Sequence, residues 1–246
     1  MGARHAAGAD RHLRHHGHLN GPAGPADPFV RPYRRDDRDD VREICFRTGF
    51  MGRPVAGQFS DRDAFAHLFC TWYVDHRPEC AWVVDDGSGR AVGYLIGSPD
   101  VPGRDGPEGW RHVAGFALGH GIGRGVLVRP GTSAFLRRAG RDLRADRRVL
   151  APVADTRRFP AELHINLLPV VRGRGFGGAL MRTFLGRLRD LGVPGVRLGT
   201  FGENTGAIAF FGSQGFRPVG DRVPNPGFRM PDGGRCTVRH FVREVG

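Results

Sequence analysis

Lysine is missing from this chain: all 37 basic side chains are arginine. Long apolar runs are missing too, since no stretch approaches the roughly 20 residues that a membrane-spanning helix needs. Near the N-terminus there is His and Arg but no apolar segment of the kind a secretory signal carries, so neither export nor a membrane anchor is expected. Cysteine is scarce. Cys45, Cys70, Cys80 and Cys236 show no paired spacing, which argues against a disulfide framework or a zinc site and for buried thiols in a reducing cytoplasm. Aromatic residues do not interleave with the arginines, and the arginines alternate with aspartates, as in "RRDDRDDVRE". The formal charge of +12 therefore reads as the compositional drift of a GC-rich, bacterial-looking genome, and no nucleic-acid partner is expected.

What is present suffices for one large domain with its own core. Residues 1–28 are polar and rich in Gly, Ala and His without apolar period, and read as a disordered arm; the run His12, His15, His16 and His18 reads as part of that arm, and no metal site is expected. From Phe29 the expected order is a short strand, two helices ("DDRDDVREICFRTG" and "DRDAFAHLFCTWYVDH") and a hairpin from "CAWVVDDGSGRAVGYLIGS". Residues 101–158 are the least regular and read as an insertion carrying one or two helices. Then "AELHINLLP" alternates Leu163, Ile165 and Leu167 with Glu162, His164 and Asn166, a strand with one core face and one polar face. A glycine turn, a helix, the strand "VPGVRLGTF", the short helix of "GENTGAIAFFGSQGF" and two strands ending in "CTVRHFVREV" complete an α+β sheet, with "VPNPGFRMPDGGR" as a loop beside the last strands.

The glycine turn carries the chemistry. In "VRGRGFGGAL" four glycines and two arginines stand at the mouth of the amphipathic helix "ALMRTFLGRLRDLG". Backbone N–H groups opening a helix suit an anion, above all phosphate. A P-loop would need the lysine this chain lacks. A dinucleotide fingerprint is formally met by Gly173, Gly175 and Gly178, but the preceding strand alternates, Pro169 interrupts it, and no acid follows at the ribose position.

The same segment resembles the acyl-donor-binding turn of the GCN5-related N-acetyltransferase (GNAT) superfamily, a strand followed by R/Q-x-x-G-x-G/A and a helix, matched here by Arg172, Gly175 and Gly177. A second segment is similar to the family's N-x-x-A-I-x-F-Y-x-x-x-G-F through Asn204, Ala207, Ile208, Phe210, Phe211, Gly215 and Phe216. The strand "AELHINLLP" resembles a bacterial subgroup that shares its fold with the acetyltransferase-like domain of O-GlcNAcase. The resemblance implies a GNAT fold over residues 29–246, a mixed central sheet with splayed central strands flanked by helices, and acetyl-CoA as co-substrate.

It also implies roles. The pyrophosphate would lie on the backbone of Arg172, Gly173, Arg174, Gly175, Phe176, Gly177 and Gly178; the pantetheine arm would pair with the strand edge near Leu167 and Leu168; Asn204 would lie beside it. A backbone N–H of Leu167 or Leu168 would polarise the thioester carbonyl. The acceptor would be a primary amine, of a small molecule or a peptide, attacking directly. Two positions depart from the family. Phe211 replaces the tyrosine that commonly protonates the leaving thiolate, and Asn166 stands where related bacterial sequences carry Asp; Glu162 and His164 on the same face remain as candidate proton acceptors through water, with Tyr73 or Tyr94 as remote donors. Two functions stay open: an active N-acetyltransferase, or a catalytically weak acyl-CoA-binding module. Acceptor choice would rest on Arg47 to Asp75, including "RTGFMGR", and on the loop before the last strand, where no acidic trap for a polyamine or aminoglycoside is visible. Sheet edges in this superfamily often pair, which allows a homodimer.

Overall fold

The computed structural model describes residues 27–100, 111–112, 115, 125, 129–146 and 154–246. The histidine-rich arm and most of 101–128 lie outside the described residues. Seven strands form one sheet in the order β1-β2-β3-β4-β5-β7-β6. They are β1 (Phe29–Pro32), β2 (Ala81–Asp85), β3 (Ala91–Ser98), β4 (Ala161–Leu167), β5 (Gly195–Phe201), β6 (Arg217–Arg229) and β7 (Arg235–Glu244). All neighbours are antiparallel except β4 and β5, which run parallel. That pair is brief: Ala161 meets Val196 and Glu162 meets Arg197, and beyond these two positions the strands part.

Helices cover both faces. On one side lie α1 (Arg38–Thr48), α2 (Arg62–Ala66), a π turn (His67–Thr71), α3 (Trp72–His76) and α4 (Pro130–Ala145); on the other, α5 (Phe176–Asp190) packs against the sheet with α6 (Thr205–Ser213). The alternation in β4 sorts its side chains between these layers. Ala161, Leu163, Ile165 and Leu167 join Leu180, Phe184 and Leu188 of α5, while Glu162, His164 and Asn166 face the first helices. Gly97 on β3 permits the close approach: a Cβ there would lie 2.6 Å from the Phe184 ring.

Within the stretch 101–158, read as an insertion with one or two helices, α4 in its C-terminal half is built into the core. Phe135 is 6% exposed and meets Phe59 and Phe228 edge-on at 5.2 and 5.0 Å. Asp142, 2% exposed, accepts from Gly227 N–H and from both Nη atoms of Arg229. Burial would raise this carboxyl, but the hydrogen bonds from Arg229 and Gly227 hold it below its ordinary value. One expectation needs correction: "VPNPGFRMPDGGR" is not a loop over most of its length, since residues through Arg229 belong to β6 and only the turn to Arg235 is irregular. Pro224 and Pro226 sit on a sheet-edge strand whose register slips between Pro224 and Arg229, the setting in which a strand tolerates them, and Pro231 lies in the turn.

Candidate functional site

The parting of β4 and β5 opens a pocket of about 430 Å³ on the helical side of the sheet. The ladder fixes which atoms of β4 face the gap. Leu168 N–H donates to Val92 O at 2.9 Å. Bonded residues alternate along an antiparallel pair, so the backbone groups of Leu163, Ile165 and Leu167 turn toward β5 instead. Of the two backbone donors expected at this strand end, Leu168 is therefore occupied by the sheet, and Leu167 is the one that points into the gap.

At the wide end the chain makes a 3-10 turn (Pro169–Val171) and enters α5 through Gly173 and Gly175, with φ of 71° and 83°. These left-handed values are easy only for glycine. A Cβ added at either glycine would meet nothing within 4 Å, so the turn presents open backbone. The N–H groups of Phe176, Gly177 and Gly178, in the first turn of α5, have no carbonyl one turn earlier in the helix to bind. Gly177 serves packing instead, since a Cβ there would press to 3.2 Å from the Phe210 ring, and its absence brings α6 against the turn. Arg174 lies over the Phe176 ring at 5.6 Å.

Arg172, expected as an anion ligand, acts as a strut. Its Nε donates to Leu167 O at 2.8 Å, its Nη2 donates to Gly52 O at 2.7 Å, and its backbone N–H turns back to Pro169 O. It thus ties the end of β4 to the loop after α1, the "RTGFMGR" segment, whose Gly49, Met51 and Gly52 line the pocket. Asn204 caps α6, its Oδ1 accepting from Ala207 N–H at 3.1 Å, and also lines the pocket.

The polar floor comes from the outward face of β4. Glu162 Oε1 accepts from the Tyr73 hydroxyl at 2.9 Å, and Oε2 from Arg197 Nη2 at 3.2 Å. Tyr94, wholly buried, has its hydroxyl 3.1 Å from His164 Nδ1 and accepts from Asn166 Nδ2 at 2.8 Å. Burial pushes that hydroxyl well above the ordinary tyrosine value, and its contacts hold His164 and Asn166 in place on the floor. Tyr73 is at the pocket wall. Phe211 is 6% exposed, lines the pocket and packs with Phe216 and Phe241.

Sequence reasoning missed Arg197 and His240. Half of the signal for Arg197 was there: it alternates with buried Val196 and Leu198, but the parallel pairing that sets it beside Glu162 is seen only in the structure. His240 enters from β7 opposite Gly199. Burial first, then Arg197 and Arg239, lower its imidazole below the ordinary value and keep it neutral.

A split sheet with a glycine turn at its wide end defines the α+β acetyltransferase class. The model for the Acetyltransferase (GNAT) family matches residues 149–216. The solved structure of SsHAT is 34% identical, over 90% of this chain and 100% of that one, with a TM-score of 0.63. The fold is also similar to yncA from Salmonella typhimurium, solved with its cofactor acetyl-CoA (14% identity, 90% and 95% coverage, TM-score 0.52). A phosphinothricin acetyltransferase from Sinorhizobium meliloti in complex with AcCoA is similar at 19% identity, 90% of each chain and a TM-score of 0.53. The chain belongs to the GNAT acetyltransferase family.

Proposed function

We propose that the protein is an N-acetyltransferase that moves the acetyl group of acetyl-CoA to a primary amine by direct attack. The observation that carries this reading is the two-residue pairing of β4 and β5 with the glycine turn at the open end. The residues fit the donor. Open backbone at Gly173 and Gly175 and the first N–H groups of α5 suit a pyrophosphate, and the freed edge of β4 suits an extended pantetheine arm, added as a strand would be. When bound, acetyl-CoA supplies the activated acyl group.

The chain's own part is to orient and to move one proton. Leu167 N–H stabilises the carbonyl oxygen as negative charge develops there. As the C–N bond forms, Glu162 takes the amine proton at Oε1 through water. Tyr73, hydrogen-bonded to that oxygen, gives its proton toward the departing sulfur as the C–S bond breaks, and recovers it from Glu162. His164 and Asn166, held by Tyr94, shape the floor beside this path.

Phe211 favours a second reading, an acyl-CoA-binding module with little turnover, because no hydroxyl stands at the family's tyrosine position. Calorimetric titration with acetyl-CoA and CoA, followed by a thiol-release screen over amines, separates the two. Binding with turnover supports the enzyme, binding without any turnover the module, and no binding removes both. Within the family we place the chain in the bacterial subgroup that resembles the acetyltransferase-like domain of O-GlcNAcase, on the strand "AELHINLLP". We place it in the cytoplasm on its four buried free thiols. Among the described residues no helix is long and apolar enough to cross a membrane. The edge strands β1 and β6 are where a second copy would pair in a homodimer.

A further inference from the structure

We infer that the acceptor is a small amine carried on an aromatic or other apolar body, and that polyamines and other polycations are rejected. The inference rests on the transfer reading and adds the substrate class. Four phenylalanines line the pocket beside its polar floor: Phe65 and Phe69 from the first helices, Phe201 from β5 and Phe228 from β6, with Phe65 and Phe228 buried and Phe69 and Phe201 partly exposed. Phe65 and Phe69 lean on each other at 4.5 Å and a 36° tilt, and the other two are braced edge-on. Phe201 and Phe228 lie 5.0 Å apart at 84°, and Phe50 behind them meets Phe201 at 5.6 Å and 81°. The π turn contributes by geometry. Its wider winding keeps residues four apart on one face, so Phe65, Phe69 and Tyr73 all reach the pocket. Edge-on frames of this kind accept a further ring or alkyl group at their open face.

The charges point the same way. Among the described residues lining the pocket, Glu162 is the only acid, and its two oxygens already hold the Tyr73 hydroxyl and Arg197. The other titratable groups on the floor, His164 and His240, are imidazoles, and His240 is held neutral. Glu203, nearby in sequence to Asn204, is turned away onto Thr237 N–H and Oγ1. A single amine that enters unprotonated, its ammonium proton left to solvent, suits this floor. A second ammonium would be desolvated against Arg197 with no carboxylate to receive it. A volume of about 430 Å³, shared with the acyl end of the donor, suits a small amine.

The test uses the full chain and 2-phenylethylamine, octylamine and spermidine as probes. Amine binding is measured by calorimetry with and without saturating CoA, and transfer by thiol release from acetyl-CoA. The expected result is that 2-phenylethylamine binds at least about tenfold tighter than spermidine and is acetylated with kcat/KM about 100-fold higher, with octylamine between them. Phe228→Ala should raise KM for 2-phenylethylamine about tenfold with the acetyl-CoA Kd unchanged. Phe69→Leu, which keeps the volume and the fold, should raise it severalfold. Spermidine binding as well as the aromatic amine, or KM unmoved in Phe69→Leu, overturns the substrate class. Loss of acetyl-CoA binding altogether overturns the transfer reading instead, while the amine titrations without CoA still decide the class.

Discussion

Phe211 lines the pocket, and its ring is packed by Phe216 and Phe241. Phe211→Tyr should raise the rate of thiol release if protonation of the leaving group limits turnover; an unchanged rate would show that Tyr73 suffices. Glu162→Gln replaces the carboxylate that accepts from Tyr73 and Arg197 with a neutral amide that keeps one acceptor oxygen and cannot take a proton. We expect kcat to fall by at least about 100-fold, the size of a lost general base, with acetyl-CoA affinity retained, read by steady-state kinetics beside calorimetry. Gly175→Ala isolates backbone from space. No atom obstructs the new Cβ, but φ of 83° is costly for any other residue, so stability should drop by about 1–2 kcal/mol in chemical denaturation. Acetyl-CoA affinity should fall as well, because the methyl group enters the space above the turn.

At the level of elements, α4 is the piece whose importance the sequence hides. The sequence before it is glycine-rich and its own is arginine-rich, so nothing in its pattern names the strand it will cover. The link is long-range: Asp142 clamps Arg229 and Gly227, 85 or more residues away, and Phe135 fills the notch that Gly227 leaves on β6. Asp142→Ala should cost about 3 kcal/mol, since it strands a mostly buried guanidinium; urea unfolding measures this, and a raised acceptor KM would report that Phe228 has lost its backing. By contrast, the hairpin of β2 and β3, the alternation of β4 and the amphipathic α5 are legible directly, because local periodicity and packing agree there. The glycine turn is legible for the same reason. What the sequence could not reveal were facts of pairing: that Arg197 lands beside Glu162, that Arg172 turns inward to Gly52, that Leu168 is used by β3, and that a proline-bearing segment continues as an edge strand.

Across the molecule, acid should act in two stages. His67, His112 and His240 lie below the ordinary histidine value of 6.5, each through burial first, with His112 at about 4 beside the stacked ring of His67. The unfolded chain takes up these protons as pH falls below about 6.5, whereas the native chain takes them up only at lower pH, His112 at about 4. Stability is therefore full above that interval and declines through it. The carboxyls of Asp75, Asp85 and Asp142, held below 3.8, add their loss only at still lower pH. Urea midpoints at pH 7.5 and 5.0 should differ, and His112→Phe, which preserves the ring stack, should shrink the difference. The two-residue seam between β4 and β5 has a mechanical consequence as well. The sheet is two blankets sewn by a pair of stitches, so the amides of Ile165 and Leu167 are shielded by no neighbouring strand. A molecule that lies along that slit finishes the seam, and its arrival should be visible as slowed deuterium uptake on both banks at once, together with a melting temperature that climbs with its concentration.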